Sequence, residues 1–263
     1  MTRTILALGG GGFTTPPGDP ALDELVLELT GRREPRILFL PTASGDASDQ
    51  MHRFLDAYVD RACRPKVLSL FRLRDQRLPL RDLILAQDAI YVGGGSMRNL
   101  VALWREHGVD ELLREAWEGG TVLAGLSAGA MCWFEQGLTR SGGAAAPAPG
   151  LGFLPGSFSV HRDSEPERRP ALLEAIEDGA MPAGWAADDG AGIVFSDGHV
   201  ARVVSARAGA GVARIEPADG GAIERELDVE RLGTPGTRVR QDAAVRELRA
   251  VRGMRTRGLG VPR

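Results

Sequence analysis

The stretch Thr121-Val-Leu-Ala-Gly-Leu-Ser-Ala-Gly-Ala130 decides the fold of this 263-residue chain. Its first four residues favour a short buried strand, and the apolar run 130–134 favours a helix. Between them lies Ser127, flanked by Gly125 and Gly129 in the G-x-S-x-G pattern of a nucleophile elbow. In an elbow, a strained turn lifts the serine hydroxyl above the sheet, and the two glycines let strand and helix approach closely. The same pattern also fits a glycine-rich turn without a catalytic role, so other segments of the chain are needed to choose between these two interpretations.

The composition narrows the class of protein. An apolar content of 43% and a charged content of 25% are typical of a globular protein, and the length suits one α/β domain with a small appendage. The formal net charge of −3 does not indicate a nucleic-acid or membrane-surface binder. No apolar run approaches the ~20 residues of a membrane span, and the N-terminal apolar run is too short for a signal peptide. We therefore expect a cytoplasmic protein without nucleic-acid or membrane partners.

The two cysteines carry no sign of a special role. Cys63 and Cys132 both lie in apolar segments and show no metal-ligand spacing. We expect both to be buried thiols of a protein from a reducing compartment. The sequence therefore predicts no metal site.

Strands and helices alternate along the first half of the chain. Besides the strand before Ser127, the sequence predicts strands at 4–8, 36–41, 66–70 and 87–92, and helices at 19–29, 49–63, 98–107 and 108–117. This alternation predicts an α/β fold with a mostly parallel sheet and helices on both faces. Short β-type runs at 184–187, 193–195 and 201–204 predict antiparallel strands at the edge of that sheet.

Glycine clusters follow two of these strands in addition to the elbow. In parallel sheets, ligands bind beyond the carboxyl ends of the strands. Gly93–Gly95 and Ser127 both lie at such ends, so we expect them to be spatial neighbours. The cluster Gly9–Gly12 is predicted to bring backbone close to a ligand, but it lacks the spacing of a dinucleotide-binding motif.

Two segments show no packing pattern. Residues 141–150 are rich in alanine, glycine and proline and predict a mobile loop, which is either a lid or a slack connector. The region 237–263 is rich in arginine and is predicted as a basic C-terminal extension beyond a single domain spanning 1–236. It is either a solvated face or a docking segment for a partner.

A nucleophilic serine needs a general base and a group that orients the base. Of the four histidines, His52, His107 and His199 are expected at the surface. His161 ends an apolar strand-like run after the elbow and is therefore the candidate base. Four acids are candidates for the orienting group: Glu135, Asp163, Asp188 and Asp189.

The residues favour the last two of these acids. Glu135 is expected to point away from the elbow along its helix, and Asp163 is too close to His161 in sequence for good geometry. Asp188 and Asp189 follow a predicted strand, and adjacent residues of an extended chain face opposite sides. Only one of them can therefore face the histidine, and the residues alone leave open which one.

Together these segments resemble the peptidase E (aspartyl dipeptidase) and cyanophycinase family of serine peptidases. The matching segments are 91–96, 125–130, 155–161 with 164–169, and 187–190. The resemblance implies an α/β sandwich related to class I glutamine amidotransferases, with a flavodoxin-like sheet. It also implies an enzyme without a cofactor that acts on a small peptide substrate.

The resemblance assigns roles by position. Ser127 matches the nucleophile, His161 the general base, and the N–H groups of Gly95 and Ala128 the oxyanion hole. The family has a glutamate before a glycine as third member, and the matching position here is Asp189. Asp188 stays as the alternative, because this chain departs from the family in having the shorter acid.

The substrate is less well defined by the sequence. Peptidase E prefers an N-terminal aspartate, whereas cyanophycinase cleaves β-linked aspartyl–arginine material, and the resemblance favours dipeptides of the Asp-X type. Arg162, Arg168 and Arg169 are candidates to bind an acidic side chain or a terminal carboxylate, or else they pair with Glu165 and Glu167. Another serine hydrolase, a catalytically silent binding module, and a homo-oligomer all stay open.

Overall fold

The computed structural model describes residues 2–15 and 20–233. Its strands are β1 (Thr4–Leu8), β2 (Arg36–Leu40), β3 (Arg64–Val67), β4 (Ala89–Val92), β5 (Val122–Leu126), β6 (Phe134–Thr139), β7 (Ala146–Pro149), β8 (Leu154–Ser159), β9 (Gly184–Ala187), β10 (Ala191–Ser196), β11 (His199–Ser205), β12 (Val212–Ala218), β13 (Gly221–Glu226) and β14 (Glu230–Arg231). Its α-helices are α1 (Pro20–Leu29), α2 (Ser48–Tyr58), α3 (Leu80–Leu85), α4 (Met97–His107), α5 (Val109–Glu118), α6 (Ala128–Met131) and α7 (Arg168–Glu177). Short 3-10 helices lie at Gly12–Thr14, Thr42–Ser44 and Leu70–Asp75. The predicted boundary at residue 236 and the basic extension 237–263 lie outside the described residues.

In the described part of the chain, the larger sheet has eight strands in the order β14-β11-β10-β1-β5-β4-β2-β3. Strands β1, β5, β4, β2 and β3 run parallel to one another. On the other side of β1, β10 and β11 add antiparallel strands. The predicted mostly parallel sheet with antiparallel strands at one edge is confirmed.

Helices cover both faces of this sheet, because its central strands are apolar on both sides. Along β1, Ile5 belongs to the core that contains Trp104 of α4 and Leu113 of α5. Its neighbour Leu6 belongs to the opposite core, which contains Phe54 of α2. Alternate residues of a strand face opposite sides, so each central strand contributes to two hydrophobic layers. The carboxyl ends of β1, β4 and β5 thereby come together at one edge.

A second sheet packs beside the first and, among residues 2–15 and 20–233, has six strands in the order β13-β12-β9-β8-β6-β7. Phe134 on β6 stacks on Phe158 of β8, with ring centroids 4.8 Å apart. Trp185 on β9 contacts both Phe134 and Phe195, which lies in the larger sheet. The strand predicted at 184–187 for the edge of the first sheet therefore belongs to the second sheet, where this tryptophan fills the space between the two.

The helix after the elbow is shorter than predicted. The run 130–134 was expected to be helical, but α6 ends at Met131 and β6 begins at Phe134. Leu151 and Phe153 donate main-chain hydrogen bonds to the carbonyl groups of Cys132 and Trp133. These hydrogen bonds to a distant segment replace the helical hydrogen bonds after a single turn. The periodicity of apolar residues is a local signal and does not predict them.

The expectation of a mobile loop at 141–150 is wrong over its second half. Residues 146–149 form β7, which pairs antiparallel with β6, and Ala148 is fully packed. Arg98 on α4 donates a 3.0 Å hydrogen bond to the Pro147 carbonyl. Main-chain pairing does not need large side chains, so a segment of alanine and proline can still be an ordered edge strand. A paired strand is not the free loop that a lid requires.

The other predicted strands and helices are present with shifted ends, and the helix predicted at 49–63 ends at Tyr58. Strand β3 begins at Arg64, two residues earlier than predicted, because Arg64 is already in register with Arg36 of β2. Cys63 and Cys132 are both buried, as expected, and burial raises the pKa of the Cys132 thiol well above its ordinary value. The three histidines expected at the surface are exposed. Within the described residues, no helix has both the length and the apolar character to cross a membrane.

Candidate active site

Ser127 occupies a strained turn between β5 and α6. Its backbone has φ 53° and ψ −121°, in a region that residues other than glycine rarely adopt. A Cβ atom at Gly125 would lie 2.0 Å from the Gly129 carbonyl oxygen, and one at Gly129 would lie 2.4 Å from that of Val92. Both positions therefore require glycine. This is the strand–turn–helix geometry that the elbow pattern predicts.

His161 follows β8 and lies next to the elbow serine. Its Nε2 atom is 3.0 Å from Ser127 Oγ, and its Nδ1 atom is 2.6 Å from Asp189 Oδ1. An ionised carboxylate can only accept, so Nδ1 carries the proton and Nε2 presents its lone pair to the serine hydroxyl. The imidazole is three-quarters buried, with 23% of its side-chain surface exposed. The structure therefore brings together the predicted serine, histidine and aspartate.

Asp189 lies just after β9 and is held as a carboxylate. Burial by itself raises the pKa of this carboxyl group, but hydrogen bonds from His161 and Ser164 bring the pKa below its ordinary value. A charged group at this place can orient the imidazole and stabilise the imidazolium that forms when the histidine takes a proton. The geometry thus favours Asp189 as the orienting acid.

Asp188 points away from the histidine. It accepts hydrogen bonds from Arg162 at 2.7 and 3.1 Å and from the Gly211 N–H at 2.8 Å. The residue is 4% exposed, so its charge is compensated almost entirely by protein groups. The two adjacent acids therefore face opposite sides, as expected, although Asp189 lies in the turn after β9 and not in an extended strand.

The first glycine cluster makes room for the acid and the base. A Cβ atom at Gly10 would lie 2.0 Å from Asp189 Oδ1 and 3.0 Å from the Cε1 atom of His161. The sequence placed a ligand beside this cluster, whereas the structure places the Asp189 side chain there. The run of four glycines after β1 indicates that another group approaches the backbone closely, but it does not identify that group.

The second glycine cluster lies beside the nucleophile, as predicted. Strand β4 pairs with β5, and a Cβ atom at Gly94 would lie 3.2 Å from that of Ser127. Gly95 has φ 142°, and a Cβ atom there would lie 2.1 Å from the Ala43 carbonyl oxygen. Gln50 on α2 donates a 3.3 Å hydrogen bond to the Gly94 carbonyl, a contact that the sequence gave no means to identify.

Ala128 is the first residue of α6. The N–H groups of a first helical turn have no acceptor within the helix, so the Ala128 N–H beside the nucleophile is available for an oxyanion. The assignment of the Gly95 and Ala128 N–H groups to an oxyanion hole stays a prediction.

The other acidic candidates have other partners. Glu135 is on β6, not on a helix, and accepts a 2.8 Å hydrogen bond from the Gly156 N–H. Asp163 accepts a 2.9 Å hydrogen bond from the Asp189 N–H. Neither carboxylate forms a hydrogen bond with His161, which agrees with the rejection of both, although the helical direction used to reject Glu135 is wrong.

The three candidate substrate-binding arginines are engaged by carboxylates of the protein. Burial alone would lower the pKa of the Arg162 guanidinium, but hydrogen bonds to Asp188 and Glu226 raise it above its ordinary value. Arg169 pairs with Glu224 at 2.6 Å. A role for these side chains in binding substrate stays a prediction that the described contacts do not support.

Arg168 forms the local ion pair that the sequence offered as the alternative to substrate binding. It pairs with Glu165 at 2.6 Å and donates to the Leu138 carbonyl. Glu167 pairs instead with Arg140, which follows β6. The local ion-pair interpretation is therefore correct for one of the three arginines.

The hydrogen-bonded chain from Ser127 through His161 to Asp189 is suited to acyl transfer. The imidazole can take the serine proton as the hydroxyl oxygen attacks a carbonyl carbon, and the carboxylate holds the ring in the required tautomer. Within residues 2–15 and 20–233, no group of three or more potential ligand side chains is arranged to hold a metal ion. The geometry fits a hydrolytic site that uses a serine nucleophile.

Known proteins with similar sequences and folds are peptidases. Residues 5–203 match the sequence model of peptidase family S51. An uncharacterized peptidase of Bacillus subtilis (strain 168), YgaJ, is 45% identical over 231 residues, which cover 88% of this chain and 100% of that protein.

Two solved structures share the fold. A peptidase from an acI-B1 Actinobacterium superposes with a TM-score of 0.64 at 21% identity, covering 87% of this chain and 95% of the other. A putative peptidase E protein from Listeria monocytogenes EGD-e superposes with a TM-score of 0.54 at 15% identity, covering 76% of this chain and 97% of the other. Likeness at these identities establishes the fold and leaves the activity to the site and the sequence relatives.

Proposed function

Because this chain belongs to peptidase family S51 and is a serine-type peptidase, we propose that it hydrolyses short peptides through an acyl-enzyme formed on Ser127. One observation carries the proposal. Ser127 Oγ and His161 Nε2 are 3.0 Å apart, and the opposite nitrogen of the same ring is 2.6 Å from Asp189. This spacing is within the range for proton transfer between a nucleophile and its base.

In the proposed mechanism, the Ser127 oxygen attacks the peptide carbonyl while His161 Nε2 takes the hydroxyl proton. The Gly95 and Ala128 N–H groups donate to the oxyanion of the tetrahedral intermediate. His161 then gives its proton to the departing amine as the C–N bond breaks, leaving an ester on Ser127. A water molecule, deprotonated by the same imidazole, hydrolyses that ester and restores the serine.

For the substrate, we propose dipeptides with an N-terminal aspartate. The support is the resemblance of four segments, 91–96, 125–130, 155–161 with 164–169, and 187–190, to peptidase E. The arginines that follow His161 are not part of the argument, because the protein's own carboxylates occupy them.

The test has two stages. A serine-directed fluorophosphonate should label the wild-type protein and the S141A control, since the Ser141 hydroxyl pairs with Thr139 and not with a base. The S127A variant should not be labelled. Labelling of S127A equal to wild type would overturn the nucleophile assignment.

The second stage measures kcat/KM on dipeptides that differ only in the first residue: Asp, Asn, Glu, Ala and Arg. We expect the highest value for Asp-X and loss of turnover by several orders of magnitude in S127A. Equal values across the set, or cleavage of β-linked aspartyl–arginine polymer in preference to Asp-X, would overturn the proposed specificity while leaving the serine mechanism intact.

A further inference from the structure

The Asp189 carboxylate has a second side-chain partner besides the histidine. Ser164 Oγ donates a 2.6 Å hydrogen bond to Asp189 Oδ2, while Oδ1 lies 2.6 Å from His161 Nδ1. Each oxygen of the carboxylate therefore has its own donor. Helix α7 begins at Arg168, with Glu167 as its N-cap, so the Ser164 hydroxyl does not cap this helix.

A single turn carries both the base and the groups that hold the acid. The Glu165 N–H donates a 2.8 Å hydrogen bond to the His161 carbonyl, which closes the turn 161–165. Within this turn, Asp163 accepts from the Asp189 N–H at 2.9 Å and Ser164 donates to the Asp189 carboxylate. The turn thus fixes the main chain and the side chain of Asp189 relative to the imidazole that it presents.

The second donor restricts rotation of the carboxylate. With one hydrogen bond, a carboxylate can turn about its Cβ–Cγ bond and still keep its partner within reach. With a donor on each oxygen, the plane of the group is fixed, and a hydroxyl bond to a carboxylate at this length is among the stronger hydrogen bonds in proteins. The bond from Ser164 also contributes to lowering the pKa of Asp189.

We propose that Ser164 is a positioning residue for catalysis, which acts through Asp189 and extends the chain Ser127–His161–Asp189 by a fourth member. This inference rests on the proposed serine mechanism. Loss of the hydroxyl frees the carboxylate to rotate, so that the imidazole spends less time in the orientation that accepts the serine proton. Since Ser164 is exposed, its removal leaves no cavity, and the effect falls on turnover and not on folding.

The test compares S164A and S164T, each in the wild type and in the D189N background. We expect S164A to lower kcat by about tenfold, the size associated with one hydrogen bond to a charged group, with KM unchanged. S164T keeps the hydroxyl and should restore most of kcat. In the D189N background, S164A should cause no further loss, because the group through which Ser164 acts is already removed.

The pH profile gives a readout that a merely structural serine would not change. A carboxylate with one hydrogen bond fewer holds protons more tightly, so the acid limb of the kcat profile should move to higher pH in S164A. S141A serves as a control for loss of a serine hydroxyl elsewhere and should leave kcat and the profile unchanged.

The outcomes separate this inference from the proposed function. Full activity in S127A would overturn the serine mechanism itself. Loss of activity in S127A and D189N together with wild-type kcat in S164A would overturn only the role of Ser164. An equal loss from S164A in both backgrounds would likewise overturn it, since the serine would then not act through Asp189.

Discussion

Asp188 and Asp189 are adjacent, yet changing each to asparagine should affect a different property: stability for Asp188 and turnover for Asp189. Asp188 is buried and accepts three hydrogen bonds, two of them from Arg162. Asparagine would turn an NH₂ group towards the guanidinium and leave a buried positive charge poorly compensated. Breaking a buried ion pair costs about 3–5 kcal/mol. Because Arg162 keeps contacts with Glu224 and Glu226, we expect the lower end, about 3 kcal/mol, or a decrease in Tm of roughly 6–12 °C.

D189N should instead lower turnover strongly, to a small residual rate, in a folded protein. One third of the Asp189 side chain is exposed, so solvent compensates much of the lost charge and the cost in stability stays below about 1 kcal/mol. An asparagine can donate to Nδ1 and thereby select the wrong imidazole tautomer. In a serine–histidine–aspartate site this change lowers kcat by about 10⁴-fold.

Thermal denaturation followed by circular dichroism and kcat on an Asp-X dipeptide measure the two effects separately. Each variant is the control for the other, since both remove one negative charge at neighbouring positions. The reasoning is refuted if D188N loses turnover at unchanged Tm, or if D189N is the less stable of the two and keeps its activity.

Two further predictions follow from the same site. G10A would place a methyl group 2.0 Å from Asp189 Oδ1, so kcat should fall by at least about 100-fold because the acid is displaced. G142A is the control and should keep wild-type kcat, because a Cβ atom at this position meets open space. Equal kcat values in the two variants would contradict this prediction. The pKa of Asp189 is lowered in the folded protein, so its contribution to stability is present above about pH 4 and is lost as the pH falls through the folded value. Urea denaturation of wild type and D189N should therefore converge in acid, and a difference that widens in acid would contradict the assignment.

The sequence was sufficient for the parts of the site that depend on local pattern. The two glycines around Ser127 indicate a tight turn between a strand and a helix that lie close together. The glycine run 93–95 follows a neighbouring strand and therefore has to lie beside this turn at the same edge of the sheet. His161 was identified by the apolar run before it and by its place after the elbow. The parallel sheet followed from the alternation of strands and helices along the chain.

What the sequence could not supply were contacts between residues far apart in the chain. The choice between Asp188 and Asp189 is made by Arg162 and Gly211 on one side and by the histidine on the other. The second sheet depends on aromatic contacts such as Phe134 with Phe158. The use of Ser164 depends on the approach of β9 to the turn after β8. Neither secondary-structure propensity nor the spacing of residue types along the sequence identifies these partners.

Strand β7 has a consequence for association between molecules. It ends the six-stranded sheet, and an end strand normally offers unpaired amide hydrogens to any extended chain nearby. Pro147 and Pro149 have no amide hydrogen, and the Pro147 carbonyl already accepts from Arg98. That side of the sheet is consequently a poor template for an incoming strand, and a segment that looks featureless in composition protects the enzyme against edge-to-edge aggregation.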